Sequence, residues 1–429
     1  MSWVKSRTGL FVVACRGQHV AYLAYIEKSR GNALPALTVL LVGAMGAEAP
    51  LAAQYEQPPS FTAVQVLPPN LPHGASYAVA SHVSLENFQY TFSVATDWGT
   101  FPIKGSDLLR VRLREMAATS KLAQVGGAQT SVEAAGRTAL QPLSTAKDLV
   151  TAPGKTIGDT FRGVGHIFGA ADASMHATDP RQDSVLASVT GGAMARRKLA
   201  FELGVDPYTS FPPLEEQLKR LATANALGQT GANAGLAFVT GGAGIAISAG
   251  GTSDALRENL RDKSPADLEK DGRERVASMG ISEPAMNSFC ANSSLTPTDK
   301  AAIVEALQSL DGAGGREIFL TSAAKANSIE MGFFYRRQTE LIAAFSNHVS
   351  PVRGFVRLGG APMLETAKGT VSILPVDYLY WTPPLETLAS GAGRGGEMWV
   401  TGKASGMATS KLAALGWTVV PQAGAKLGR

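Results

Sequence analysis

Two serine and lysine pairs, Ser144 with Lys147 and Ser322 with Lys325, set a hydroxyl one helical turn from an amine. At that spacing a lysine can take the serine's proton and make the oxygen a nucleophile for acyl transfer. Ser322 and Lys325 are the catalytic candidates, although a serine-rich chain of this length carries such tetrads by chance. Two turns place an acid beside an aromatic ring, Asp97-Trp98-Gly99 and Asp206-Pro207-Tyr208-Thr209, a composition suited to ligand contact. The structural reading of both is stronger, because Asp and Gly fit the turn itself and Trp or Tyr covers the adjoining core. His73, His82, His166, His176 and His348 are scattered, with no His-x-x-x-His pair and no carboxylate at ligand spacing, so no metal site is expected. Cys15 and Cys290 are the only cysteines; once a leader takes Cys15 away, Cys290 is left as a small buried hydrophobe without an internal disulfide.

Three further motifs are incomplete. The stretch GLAFVTGGAGIAIS at 235–248 has the strand and glycine turn of a short-chain dehydrogenase, where backbone amides approach a pyrophosphate. Gly241 and Gly244 are in place, but Ile247 occupies the third glycine position. The Tyr-x-x-x-Lys pair is missing too, since Thr339, Thr382 and Pro384 follow Tyr335, Tyr378 and Tyr380 at that spacing. Ala152-Pro153-Gly154-Lys155-Thr156 matches the end of a phosphate-binding loop, yet Leu149 stands where its first glycine belongs and no strand precedes it. Lys403-Ala404-Ser405-Gly406 has the form of the third box of penicillin-binding proteins, but no Ser-x-Asn box lies between Ser322 and Lys403. No cofactor is expected.

The elements that would have to position any site begin behind a leader. Lys28 and Arg30 precede an apolar run from Ala33 to Ala47, which small residues follow, and this is a signal-peptide pattern. The run is short for a membrane span and is broken by Pro35 and glycines, so cleavage is expected, after Ala53, with an uncleaved anchor as the runner-up. Thirty residues before the apolar core is long for a leader, so the initiating methionine is expected downstream of Met1. After residue 53 the chain holds 34 basic against 33 acidic residues, and this balance gives phosphate backbones little to attract. Nucleic acid is excluded as a partner; an envelope component or a protein of unknown kind, with peripheral membrane contact, is the expected one.

Within residues 54–125, Phe88, Tyr90, Phe92 and Val94 alternate with polar residues, and a turn at Glu86-Asn87 returns the chain to Tyr77–Leu85 as a hairpin. Leu109, Leu113, Met116 and Ala117 then fit one helical face. Residues 126–180 are a Gly/Ala-rich linker with amphipathic spacing, the candidate membrane or partner contact. The uncharged stretch 221–253 suits a buried helix pair better than a weak membrane segment. Residues 181–348 are expected to be helical: Ser264-Pro265-Ala266-Asp267 and Thr296-Pro297-Thr298-Asp299 each set a hydroxyl cap, a first-turn proline and an acid at a helix start, and a long helix over Ile329–Phe345 buries Phe334, Leu341, Ile342 and Phe345. Residues 349–429 turn to strands, with a strand, helix and strand at 397–420 that predict a small βαβ unit. The class is α+β: an N-terminal hairpin plus helix, a mostly helical middle and a C-terminal α/β unit.

The segments FSVATDWGTFPIKGSDLLRVRLREM, KLAFELGVDPYTSFPPLEEQL, VDYLYWTPPLE and WVTGKASGMATSKLAALGWTVV resemble those of a group of exported proteobacterial proteins of unassigned function. The resemblance implies that 88–420 is one inherited unit and that the glycines at 241–244 are not shared. It implies no activity, cofactor or catalytic residue. The sequence therefore reads as a periplasmic or secreted protein that binds or scaffolds rather than catalyses. A serine hydrolase on Ser322 and Lys325 is the competing class, and membrane association through 126–180 and 221–253 the third.

Overall fold

The structure is a computed structural model that describes residues 2–5, 10–14, 22–25, 54–130, 191–226, 253–393 and 395–427. It divides into two units, Met1–Tyr55 and Glu56–Arg429. In the first, β1 (Ser2–Lys5), β2 (Leu10–Ala14) and β3 (Tyr22–Tyr25) form an antiparallel meander that the sequence reading did not anticipate. The apolar run of the expected leader, the linker from residue 131 onward and the glycine-rich stretch 227–252 lie outside the described residues, as do Ser144, Lys147 and the 152–156 motif.

The second unit opens on an antiparallel sheet. Its strands are β4 (Phe61–Thr62), β5 (His73–Gly74), β6 (Tyr77–Val79), β7 (His82–Glu86), β8 (Gln89–Thr96) and β9 (Gly99–Lys104), with one helical turn, α1 (Ala63–Val66), after β4. One edge of β8 pairs with β7 and then β6, and the other pairs with β9. The expected hairpin is present, with Glu86 opposite Gln89 across the two-residue turn Asn87-Phe88. Both turn residues have positive φ, 49° and 67°, as a turn matched to strand twist requires. For a ring as bulky as Phe88 this backbone is strained. It is held from outside: the Phe88 carbonyl accepts from the amides of Asp377 and Tyr378, and its ring packs on Tyr380 at 5.4 Å.

Helix α2 (Ser106–Thr130) lies against this sheet and is longer than the 109–125 that its apolar spacing predicts. Leu109, Leu113 and Met116 are all buried in one core with Phe92, Val94, Leu214 and Leu218. The helical stretch follows as α3 (Gly192–Leu203), α4 (Pro212–Ala226), α5 (Asp254–Asp262), α6 (Pro265–Ser278), α7 (Glu283–Ala291), α8 (Pro297–Gln308), α9 (Arg316–Ala323) and α10 (Ile329–His348). The two expected caps form as full capping boxes, Ser264 with Asp267 and Thr296 with Asp299. Helix α10 buries Leu341, Ile342 and Phe345 as expected, while Phe334 is half-buried.

The chain ends in a mixed sheet of β10 (Val352–Leu358), β11 (Ala361–Thr366), β12 (Gly369–Leu374), β14 (Glu397–Val400) and β16 (Thr418–Val420), in that order, with β13 (Tyr378–Leu379) pairing β15 (Lys403–Ala404) separately. Helix α12 (Gly406–Ala414) connects β14 to the parallel β16, so the βαβ unit stands. A second crossover, through α11 (Pro383–Gly391), joins β12 to the parallel β14. The class is α+β. The apolar face of this sheet shares one core with α6 to α10: Leu320, Phe345, Phe355, Ile373 and Trp399 belong to a single buried cluster.

Candidate functional site

Helix α10 carries three charged residues, Arg336, Arg337 and Glu340, on a stretch that the surrounding elements cover. Arg337 gives Nη1 to Glu340 at 2.5 Å and Nε to Asp107 of α2 at 3.0 Å. Arg336 gives Nε to the other Glu340 oxygen at 3.0 Å and approaches Asp299 of α8 at 3.5 Å. Asp107 also accepts from Arg110 at 2.7 Å. The result is a chain of ion pairs from the start of α2, through α10, to the start of α8. Ions taken out of water cost several kcal/mol each unless well paired. Burial opposes the charge of Arg336, but Glu340, Asp299 and Asp206 together hold it firmly ionised. Burial likewise raises Asp206 and Asp299 above the ordinary carboxylate range, with Arg336 opposing the rise in both.

One end of this network opens into a cavity of about 460 Å³. The end of α3 builds one wall: Gly204, at φ 68°, stops the helix in the left-handed conformation and turns the chain into Val205, Asp206 and Pro207. The Asp206 carboxylate accepts from the amide of Tyr208 at 2.8 Å and from the hydroxyl of Thr298 at 2.6 Å, which docks this turn on the first residues of α8. Helices α2, α5 and α10 supply the remaining walls, with Val111 and Leu260 as apolar surface. Five arginines line the space, Arg114, Arg197, Arg257, Arg261 and Arg336, against two acids, Glu115 and Asp206.

The arginines are not equally occupied. Arg261 forks onto Asp262 with two contacts of 2.7 Å and lies 4.7 Å from the centre of the Phe201 ring; Arg257 lies 5.3 Å from the same ring. Arg197 donates to the carbonyl of Arg261 at 3.3 Å. On α2 the three alternating arginines have three different surroundings. Arg110 pairs with Asp107, and Arg112 pairs with Glu115 at 2.5 Å and with the Ser210 hydroxyl. Arg114 is left with Nε and Nη2 buried and without a protein acceptor. Its neighbour Glu115 makes its hydrogen bonds elsewhere, one oxygen to Arg112 and the other to the Thr209 hydroxyl at 2.5 Å. Burial lowers the basicity of Arg114; Glu115 opposes that, and the like charge of Arg257 adds to it.

A smaller cavity, about 250 Å³, lies at the other end of the network and is lined by Asp107, Arg110, Asp377 and Lys403 among others. Asp377 accepts from the amide of Tyr90 at 2.8 Å and from that of Ser106, the first residue of α2. Its carboxylate thus ties the N-terminal sheet and the start of α2 to the C-terminal strands. Burial pushes the group up to about 6, against the pull of those amide hydrogen bonds.

The residues singled out from sequence fall in separate places. Ser322 is buried near the end of α9, where its hydroxyl donates to the Ile318 carbonyl at 2.8 Å and accepts from Arg357 at 3.4 Å. Lys325 is exposed beyond the helix end, linked to Ser322 through the backbone. Ser405 caps α12 and donates to Glu56 at 2.6 Å, so its box serves a helix start. Asp97 and Trp98 form the tip of the β8–β9 hairpin, with Asp97 exposed. Asp206 lines the arginine cavity, while Tyr208 is buried in the small core with Leu256 and Leu260, under Arg196. Sequence reasoning missed Arg114, Arg257, Arg336 and Asp377. The only trace was the triple Arg110, Arg112, Arg114, which a helical wheel spreads over more than one face. Among the described residues no cluster could hold a metal ion, and no helix is long and apolar enough to cross a membrane. Comparison with family models, curated proteins and solved structures finds no match.

Proposed function

We propose that this chain is an exported binding protein of the cell envelope, and that the arginine-lined cavity between α2, α3, α5 and α10 receives a small anionic ligand. The observation that carries the reading is Arg114, whose guanidinium lacks protein acceptors at Nε and Nη2 in a cavity lined by four other arginines. A buried donor without a partner costs about 1–3 kcal/mol, more when charged, and an anion in the cavity removes that cost. The volume is within the range of small-molecule pockets, roughly 300–1,000 Å³. Binding rather than catalysis fits best, because the hydroxyl of Ser322 is committed to a helix carbonyl and no nucleophile and base are paired there. Export rests on the leader pattern of residues 28–53.

Thermal unfolding across a panel of small anions in low-chloride buffer tests the cavity. At least one anion should raise the midpoint of the wild type and leave that of Arg114→Gln unchanged. A panel in which no anion stabilises the wild type would remove this reading. Mass spectrometry of the mature N-terminus in the native host tests export; a chain beginning near Gln54 supports it, and persistence of residues 30–50 contradicts it.

A further inference from the structure

We infer that the ligand of the arginine cavity is a phosphomonoester, a phosphoryl group carried on a compact apolar body. This rests on the reading of the cavity as an anion site and narrows it to one chemistry. The two nitrogens of Arg114 that lack acceptors, Nε and Nη2, are the pair that forms the side edge of a guanidinium. That edge presents two parallel N–H donors and matches two oxygens of one oxyanion. The geometry calls for a planar or tetrahedral oxyanion rather than a halide.

The second guanidinium decides between the oxyanions. Arg257 lines the same cavity and repels Arg114, and its own acid, Asp254, stands at 4.0 Å on the exposed side of α5. A carboxylate could accept from both guanidiniums, but it brings one negative charge against their two positive ones. A phosphomonoester brings three acceptor oxygens and a charge of about −1.5 to −2 at neutral pH, enough to engage both guanidiniums and offset their repulsion. The cavity exceeds what the phosphoryl group needs, and Val111, Leu203 and Val205 give the rest of the ligand an apolar surface.

Calorimetric titration of the full chain in low-chloride buffer, with phenyl phosphate and benzoate as probes, separates the possibilities. Phenyl phosphate should bind at pH 7.5, and Arg114→Gln and Arg257→Gln should each weaken it tenfold or more. Arg257 is half-exposed and Arg114 lacks a protein acceptor at Nε and Nη2, so both variants should fold, which circular dichroism checks. Lowering the pH to 5.5 adds a second arm. The phosphoryl group loses charge near pH 6, whereas benzoate stays ionised. The ratio of phenyl phosphate to benzoate affinity should therefore fall severalfold. Benzoate binding as tightly as phenyl phosphate at pH 7.5 overturns the phosphomonoester and leaves the anion site standing. Binding of neither probe overturns the phosphomonoester, and the anion site falls with it only if the wider anion panel also fails.

Discussion

At the scale of single residues, stability depends on which buried charges are satisfied. Arg337 sits between Asp107 and Glu340, and each acid keeps a second arginine, Arg110 and Arg336, so Arg337→Ala should cost about 1.5–3 kcal/mol in urea unfolding. A double change of Arg337 and Glu340 to methionine should not recover that loss, because Glu340 also pairs with the buried Arg336. Asp377 makes a different prediction, through pH. Its folded value of about 6 exceeds the ordinary carboxylate value of about 3.9, so the folded state holds its proton more tightly. The group therefore weakens the fold above pH 6, and stability is regained as the pH falls from 6 towards 4, by at most roughly 3 kcal/mol. Asp377→Asn should remove this component, measured as the pH dependence of the difference between variant and wild-type unfolding. Ser322 carries a third prediction: an active-serine probe should label neither the wild type nor Ser322→Ala. Labelling lost on that substitution would make the protein a serine hydrolase.

At the scale of elements, the helix starts are where sequence and structure agree most closely. Thr296 and Ser264 announce their helices because a cap is local chemistry, a hydroxyl meeting amides one turn ahead. Thr296→Ala should cost about 1 kcal/mol, and more if Asp299 loses its place beside Arg336, as read by chemical unfolding. The hairpin at Glu86–Gln89 and the βαβ unit at 397–420 were legible for the same reason, since alternation and turn chemistry lie within a few residues. The site was not. Arg114 belongs to a run that reads as three equivalent arginines, and only the packing of α2 against the 206–211 turn brings Ser210 to Arg112 and Thr209 to Glu115 while leaving Arg114 without an acceptor at Nε and Nη2. Asp377 looks like any acid before a tyrosine until the fold brings it to the amides of Tyr90 and Ser106. Asp206 was singled out as a turn acid; its place on the cavity wall depends on Thr298, 92 residues away in sequence. Contacts of that range leave no local pattern, because each partner is chosen by the whole fold.

At the scale of the molecule, a string of ion pairs starts at a cavity next to the N-terminal sheet, crosses α10, and ends at a larger cavity rich in arginine. Buried ionic groups are an inefficient way to stabilise a domain, and well-packed apolar residues in the same positions often do as well or better. Their presence beside an open, positively charged space is what a ligand site predicts, where stability is given up for function. The most direct measurement is urea unfolding of the wild type and Arg114→Leu, each with and without saturating phenyl phosphate. Without ligand the variant should be at least as stable as the wild type, since two buried guanidinium nitrogens without acceptors have been removed; with ligand only the wild type should gain. A variant that is less stable without ligand, and gains as much as the wild type with it, would show that Arg114 serves the fold and not a bound anion.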